Sequence, residues 1–285
     1  MKVYGVLVGK KPIVFTNNDS AYETAIEFKK NNINPIVLDS RQDSNSEIVK
    51  EAKSLGIDIK FSHVVVAAKG YKKVKSCDIA EISEDKQNLN QIKNIECDCI
   101  CVSGFWTPTI HLASQSGGKT KFKEEIDAFV PDKSKQKEVT LGSANGVFTL
   151  EETLKTSFDK GFELSKEITN NNNSQQIPKV SEKKHSKHDK FWCVPLPKGK
   201  KYKRFLDFQN DVAVSDIELA IREGYRSIEH VKRYTTLGMA TDQGKTSNLN
   251  GLQLVSNIEN KVVPAVGHTT FRPPYTCLLY TSDAA

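Results

Sequence analysis

Apolar positions in the first hundred residues alternate between short continuous runs and stripes spaced three or four apart. "KPIVFT" (11–16) and "NPIVLDSR" (34–41) have strand length. Between them "NNDSAYETAIEFKKNN" (17–32) sets Ala21, Ala25 and Phe28 on one helical face, and Ser20 with Glu23 predicts a capping box. "SEIVKEAKSLG" (46–56) predicts a second helix, closed by Gly56. "IDIKF", "HVVVAA" and "YKKVKSCDIAEI" follow as three strand-like runs, and "CDCICVSG" (97–104) as another. This order implies a parallel sheet carrying an added antiparallel piece.

Beyond a loop at 104–119, "VTLGSANGVFTLEETLKTSFDKGFELSKEI" predicts a strand, a glycine turn and a long helix. Thr149 and Glu152 are its expected capping box, and Leu150, Leu154, Phe158 and Leu164 its expected buried side. "TNNNNSQQIPKVSEKKHSKHDK" (169–190) is polar and cannot bury enough apolar surface to order itself. Residues 169–203 are therefore expected to be a disordered basic linker. Short helices come next: "SDIELAIREG" capped by Ser215 and Glu218 and ended by Gly224, "SIEHVKRYTTLG" begun by Ser227 and ended by Gly238, and "SNLNGLQLVSNIEN" (247–260). The expected fold class is α/β, with a partial dinucleotide-type domain over 1–168 and a small mainly α domain over 204–276.

The 285 residues, 38% hydrophobic and 27% charged, suit a globular protein of about two domains. The net charge of +6 does not point to nucleic acid, because 178–206 hold ten basic residues against Glu182 and Asp189 and leave the remainder slightly acidic. That segment reads as a solvated linker or as an electrostatic docking segment. No run approaches the ~18 apolar residues of a membrane span, and "MKVYGVLVGKKP" is too broken by Gly and charge for a signal peptide. Three of the six cysteines fall in "CDCIC", whose spacing puts Cys97, Cys99 and Cys101 on one strand face. Buried thiols pack there as small hydrophobes. A zinc site would want a second ligand pair, and no usual spacing supplies one. A reduced, cytoplasmic setting fits.

A dinucleotide fold carries Gly-x-Gly-x-x-Gly between first strand and first helix. The corresponding "FTNNDSAYETA" (15–25) has no glycine, and Asn17, Asn18 and Asp19 put side chains where a pyrophosphate would lie. Asp39, ending the second strand, stands where a ribose-binding acid belongs. The half-motif is either a fold relic or a working nucleotide site. In "GSANG" (142–146), Gly142, Asn145 and Gly146 could bring backbone close to a dinucleotide. "TTLGMATDQGKTSN" (235–248) offers Gly238, Thr241, Gln243, Gly244, Lys245 and Thr246 ahead of a helix N-terminus, which suits a phosphate or is simply a glycine stop with an N-cap. Arg272 and Tyr275 of the stiff "FRPPY" are interface anchors or part of a rigid connector. His111, His230 and His268 lack an acid–nucleophile pattern and read as structural or surface residues.

The half-motif strand and "DSAYETA" helix resemble the inserted NAD-type domain of two-dinucleotide-fold flavoprotein reductases, over about 5–104. "VSGFWTPTIHLASQSGGK" and "GSANGVFTLEETL" resemble the return into the larger domain, over 105–168. "FLDFQNDVAVSDIELAIREGYRSIEHVKRYTTLGMATDQGKTSNLNGL" and "VGHTTFRPPYT" closely resemble the alpha-subunit family of heterotetrameric sarcosine oxidases. The resemblance implies an internal piece of a flavin-dependent amine oxidase with beta, gamma and delta partners. In that family NAD binds through a Gly-rich motif absent here, FMN lies at the alpha–beta interface, and tetrahydrofolate captures the carbon removed from sarcosine. It implies no catalytic side chain for C–N oxidation here. Cofactor contacts would come from Asp39, Gly142, Asn145, Gly146, Thr241, Gln243, Gly244, Lys245, Thr246 and Arg272.

The helical domain also resembles ferredoxin-like modules that hold a [2Fe–2S] cluster on four cysteines. The matching positions hold Asp207, Gln209, Asp242 and Ser247, so no cluster is expected. An opine or proline dehydrogenase alpha subunit and a non-catalytic interaction module are the alternative functions. The closing "CLLYTSDAA" (277–285) lacks a counterpart in the family, and its back-translation resembles a transposase-based sequencing adapter. It is expected not to be native sequence.

Overall fold

The computed structural model describes residues 4–169, 177, 179–180, 188–200, 202–271, 273 and 275. The chain divides into two units. The first runs to Phe105 and takes in Lys183–Tyr202; the second holds the rest.

Unit one is built on β1 (Pro12–Thr16), α1 (Ala21–Lys30), β2 (Ile36–Asp39), α2 (Glu47–Ser54), β3 (Asp58–Phe61), β4 (His63–Gly70), β5 (Val74–Glu81), β6 (Lys93–Glu96) and β7 (Cys99–Ser103). β3, β2, β1 and β7 form a parallel sheet in that order, while β4, β5 and β6 form an antiparallel one. Successive strand residues face opposite sides. Val14 and Val37 therefore join Tyr22, Ala25, Phe28, Val49 and Ala52 of the two helices. Their neighbours Ile13 and Leu38 pack with Cys77 and Ile79 of the antiparallel sheet. Each fully buried Val, Leu or Ile contributes about 1.5–3 kcal/mol, so the alternation fixes which strand face meets which layer.

The parallel sheet with its antiparallel addition is as the sequence predicts; several local details differ. β6, "KNIE", is too short and polar to stand out in the pattern. The expected Ser20–Glu23 capping box does not form, because Asn18 Oδ1 accepts from both Ser20 N (3.0 Å) and Ser20 Oγ (2.5 Å). Nor do the three cysteines share one face. Cys97 precedes the strand and packs beside Cys77, whereas Cys101 joins the helical layer. The turn between them is held by Asp98, whose carboxylate accepts from the amides of Lys10 (2.7 Å) and Lys11 (2.8 Å). Burial pushes the thiols of Cys77 and Cys101 up to about 12.

Unit two holds α3 (His111–Gln115), the hairpin β8 (Thr120–Lys123) and β9 (Ala128–Pro131), a 3-10 turn (Gly142–Asn145), and α4 (Leu150–Thr169). The hairpin β10 (Phe205–Asp207) and β11 (Val212–Ala213) follows, then α5 (Val214–Arg222), α6 (Ile228–Thr235), α7 (Asn248–Glu259) and α8 (Val263–Val266). α5 packs on α6 and α7, and Ile217, Ala220, Val231, Leu252 and Val255 on these helices are buried. Over 204–276 the mainly α character is as expected, with the β10–β11 hairpin and α8 added; α3 and the β8–β9 hairpin fall within 105–168. The predicted strand at 139–141 is absent, since a strand needs a ladder partner.

Three helix details differ. In α4 the Thr149 Oγ1 accepts from the Glu152 amide at 3.4 Å, but Leu150 and Leu164 are 51% and 37% exposed, so of the expected stripe only Leu154 and Phe158 are half-buried. α5 begins at Val214, and Asp216 accepts from the Ala213 amide at 2.8 Å in place of the expected Ser215–Glu218 pair. α6 ends at Thr235 and is capped by Thr236 (φ +63°), two residues ahead of Gly238. Within the 169–203 linker reading, 170–176, 178, 181–187 and 201 lie outside the described residues, whereas 188–192 are held within unit one. Sequence complexity gives no sign of that docking.

Candidate functional site

Three candidate regions follow from the sequence, one in unit one and two in unit two. In unit one, β2 and β3 lie on one side of β1 and β7 on the other. The order reverses between β1 and β7, and an open α/β sheet offers its ligand crevice at the carboxyl ends of such a pair. Thr16 and Ser103 end those strands. Asn18 fills the gap above them: its Nδ2 donates to the Gly104 carbonyl and, at 3.4 Å, to Ser103 O. Asn17, Asn18 and Asp19 are all buried. Where glycines would leave room for a pyrophosphate, the loop supplies its own polar atoms.

Asp39, expected to meet a ribose, is fully buried. Its Oδ2 accepts from Tyr22 Oη (2.7 Å) and Arg41 Nη2 (2.7 Å), and Oδ1 from Arg41 Nε (3.0 Å). Arg41 Nη1 also reaches Asp19 Oδ1 at 2.8 Å. A ribose cannot reach Asp39 unless Arg41 leaves, so this expectation is corrected. Burial lowers the Arg41 pKa, but hydrogen bonds and charge from Asp39 and Asp19 outweigh it and raise the value. Burial, then Asp39, raises the Tyr22 phenol well above its usual range. The sequence hides this because the acid is spent on Arg41, two positions along.

In unit two the loop between α6 and α7 gathers most of the remaining candidates. Asp207 Oδ2 accepts from Gly238 N (2.9 Å), and its Oδ1 from Gln209 N (2.9 Å). Gln209 Oε1 accepts from Thr241 Oγ1 (2.7 Å) and Asp242 N (3.3 Å). Asp242 in turn accepts from Gly244 N (3.0 Å), Thr246 N (3.1 Å) and Thr246 Oγ1 (2.6 Å). Burial raises the Asp242 carboxyl, but these bonds from Thr246 and Gly244 outweigh it and hold the value low. Three of the four positions where the ferredoxin-like resemblance expects cysteine thus form one polar network, and the fourth, Ser247, is fully buried at the start of α7. Among the described residues no group of three His, Cys, Asp or Glu could hold a metal ion.

Gly238 (φ +67°) and Gly244 (φ +75°) flank the Asn248 side chain so closely that a Cβ on either would overlap its amide. The glycines are required by packing as well as by backbone conformation. Lys245 turns back: Nζ donates to the carbonyls of Asp242 (3.1 Å) and Tyr275 (2.6 Å) and lies 3.9 Å over the Tyr275 ring. Burial lowers its pKa, opposed by Asp242. Gln243 turns its side chain onto Ala240 O (2.9 Å). Its own carbonyl accepts from His111 Nε2 at 2.8 Å, which leaves Nδ1 the deprotonated nitrogen. His111 lies buried against Phe271, ring centroids 3.9 Å apart, and burial lowers its pKa despite the Gln243 carbonyl. No local signal in the sequence couples positions 132 residues apart. Arg272 lies outside the described residues.

Gly142 (φ +64°) and Gly146 (φ +77°) frame the 3-10 turn, and a Cβ on Gly146 would sit 2.6 Å from Ile126 Cδ1. Asn145 opens onto a cavity of about 550 Å³ whose wall carries Lys119, Lys123 and Lys133. Lys121 lines it too and pairs with Asp132 at 3.3 Å. Of the sequence-derived candidates, Asn145 faces open space lined by these four lysines against two acids, Asp132 and Glu138.

The class of protein follows from the fold. The chain is similar to L-proline dehydrogenase from P. horikoshii, with a TM-score of 0.60 at 18% identity, over 99% of this chain and 51% of that one. It is an α/β chain with a Rossmann-like parallel sheet, joined to a small helical domain. Residues 201–282 match the family model described as the sarcosine oxidase A3 domain. That match runs past Thr276, so it lends no support to ending the native sequence there. The chain is 34% identical over 275 residues to sarcosine oxidase subunit alpha of Rhizobium meliloti (strain 1021), covering 96% of this chain and 26% of the relative. It is 31% identical to the same subunit of Corynebacterium sp. (strain P-1) over 291 residues, covering 100% and 30%. By sequence it is similar to sarcosine oxidase alpha subunits over nearly its whole length, and it spans 26–30% of the length of these relatives.

Proposed function

We propose that this chain is part of the alpha subunit of a flavin-dependent amine oxidase. The complex would demethylate sarcosine oxidatively to glycine with O2 and tetrahydrofolate, yielding peroxide and 5,10-methylenetetrahydrofolate. The observation that carries the reading is the 34% identity to a sarcosine oxidase alpha subunit across 96% of the chain. On this reading beta, gamma and delta subunits are the partners and the cytoplasm is the setting. Among the described residues no helix is long and apolar enough to cross a membrane.

The proposed cofactors differ in how well the residues fit them. A phosphate of FMN does not fit at 241–246, because Asp242 already accepts from the amides of Gly244 and Thr246 and would repel it. In this proposal the loop is a subunit-facing surface. A dinucleotide does not fit around Asp39 either. The cavity beside Asn145 does fit a nucleotide's charge: Asn145, Lys119 and Lys133 would hold phosphates. A nicotinamide nucleotide bound there is a two-electron hydride carrier.

The test is reconstitution of the full complex around the alpha chain that contains this stretch. Peroxide release with sarcosine, and little with L-proline or an opine, is the expected result. Preference for proline or an opine selects the related dehydrogenase reading. No turnover of any amine by a folded, fully loaded complex selects a non-catalytic interaction module.

A further inference from the structure

We infer that the crevice of unit one has a resident occupant, the chain's own segment His188–Trp192, which takes the place of a nucleotide. The segment lies over the same switch point that Asn18 fills. Asn17 holds it by the main chain: Asp189 N donates to Asn17 O at 3.0 Å, and Asn17 Nδ2 donates to Asp189 O at 2.9 Å. That two-point pairing is the kind by which a peptide, rather than a phosphate, is recognised. Phe105, just past the end of β7, stacks on the His188 ring at 4.0 Å and 5° and meets Trp192 edge-on at 4.9 Å. Lys86 pairs with the Asp189 carboxylate and lies 6.0 Å from the Phe191 ring. Backbone, charge and aromatic contacts from three separate parts of unit one converge on five residues.

The arrangement assigns a job to features that the oxidase reading leaves unused. The absent glycines, the buried Asn17–Asn18–Asp19 loop and the withdrawn Asp39 all remove nucleotide chemistry from the crevice. The strap closes what is left and pins the middle of the basic segment within unit one. This inference stands apart from the amine substrate and survives if that reading fails.

Trp192 and Trp106 are the chain's two tryptophans, so the full chain carrying Trp106→Phe reports on Trp192 alone. Acrylamide should quench Trp192 about threefold less than free tryptophan, and the Asp189 amide should exchange hydrogen at least about tenfold slower than in an unstructured peptide. Adding Phe105→Ala and Lys86→Ala should abolish both protections while the amides of Val14 and Phe15 in β1 stay protected. Millimolar NAD or ADP-ribose should change neither reading in the parent protein. Free-tryptophan quenching or peptide-rate exchange in the parent overturns the inference, whether or not the variant folds. So does protection that persists in a folded variant, or nucleotide that accelerates exchange at Asp189.

Discussion

Arg41 grips Asp39 from two residues away: Nη2 stands 2.7 Å from Oδ2, and both side chains are buried. The same guanidinium spans to Asp19 at 2.8 Å, so one cation neutralises two carboxylates at the ends of β2 and the β1–α1 loop. Removing one member of such a group leaves charge uncompensated in the interior. Arg41→Ala should destabilise unit one by about 3–5 kcal/mol in urea unfolding. Adding Asp19→Asn and Asp39→Asn should restore part of that loss. A variant within about 0.5 kcal/mol of wild type would show that water reaches the pair.

Gly244 and Asn248 fit together because the glycine has no Cβ. Gly244→Ala meets both a φ of +75° and the Asn248 amide, and should cost about 2 kcal/mol or more. Asn248→Ala in the same chain relieves the overlap but not the backbone strain. A double-mutant cycle should therefore give a coupling of about 1 kcal/mol; additive effects would place Asn248 elsewhere.

His111 contributes to the pH dependence of unit two in the neutral to mildly acidic range. Burial, with the charges of Lys245 and Lys232 adding to it, outweighs the Gln243 carbonyl and Asp242, so the folded state prefers the neutral ring. The folded pKa lies below the unfolded value, and the folded state therefore binds fewer protons. Stability is full above about pH 6.5 and is lost as pH falls through the folded pKa. Melting temperature should drop between pH 7.5 and 5.5, and His111→Phe should flatten the drop. An unchanged slope would assign it to another group.

Cys77 and Cys101, with thiols pushed up to about 12, hold almost no thiolate at pH 8. Since only the thiolate attacks, a disulfide reagent should modify them at least about a hundredfold more slowly in native protein than in denaturant. Mass mapping of the labelled cysteines reads this directly. Fast native labelling of Cys77 would mean that the layer between the two sheets opens.

The elements of unit one were legible because burial repeats along the chain. Ile13, Val14, Val37 and Leu38 are apolar in runs, and Ala21, Ala25 and Phe28 recur at helical spacing. β6 of unit one and β10 of unit two were not, because "KNIE" and "FLD" are too short to carry a period. The capping pairs were legible in type but not in partner. Asn18 displaced Ser20, and Asp216 displaced Ser215 with Glu218, since a cap goes to whichever side chain the incoming backbone brings into reach.

The sequence by itself determined that glycine is missing from the first turn, that cysteine is missing from Asp207, Gln209, Asp242 and Ser247, and that the kinship lies with sarcosine oxidase alpha subunits. Those are matters of residue type at aligned positions. Only tertiary structure decided that Asp39 is withdrawn under Arg41, that Asp242 takes the amides a phosphate would need, that His111 meets Gln243, and that 188–192 fill a crevice built from residues 16–19 and 103–105. Each of these is a competition for one hydrogen-bonding group or one space. Its outcome depends on distances that only folding sets.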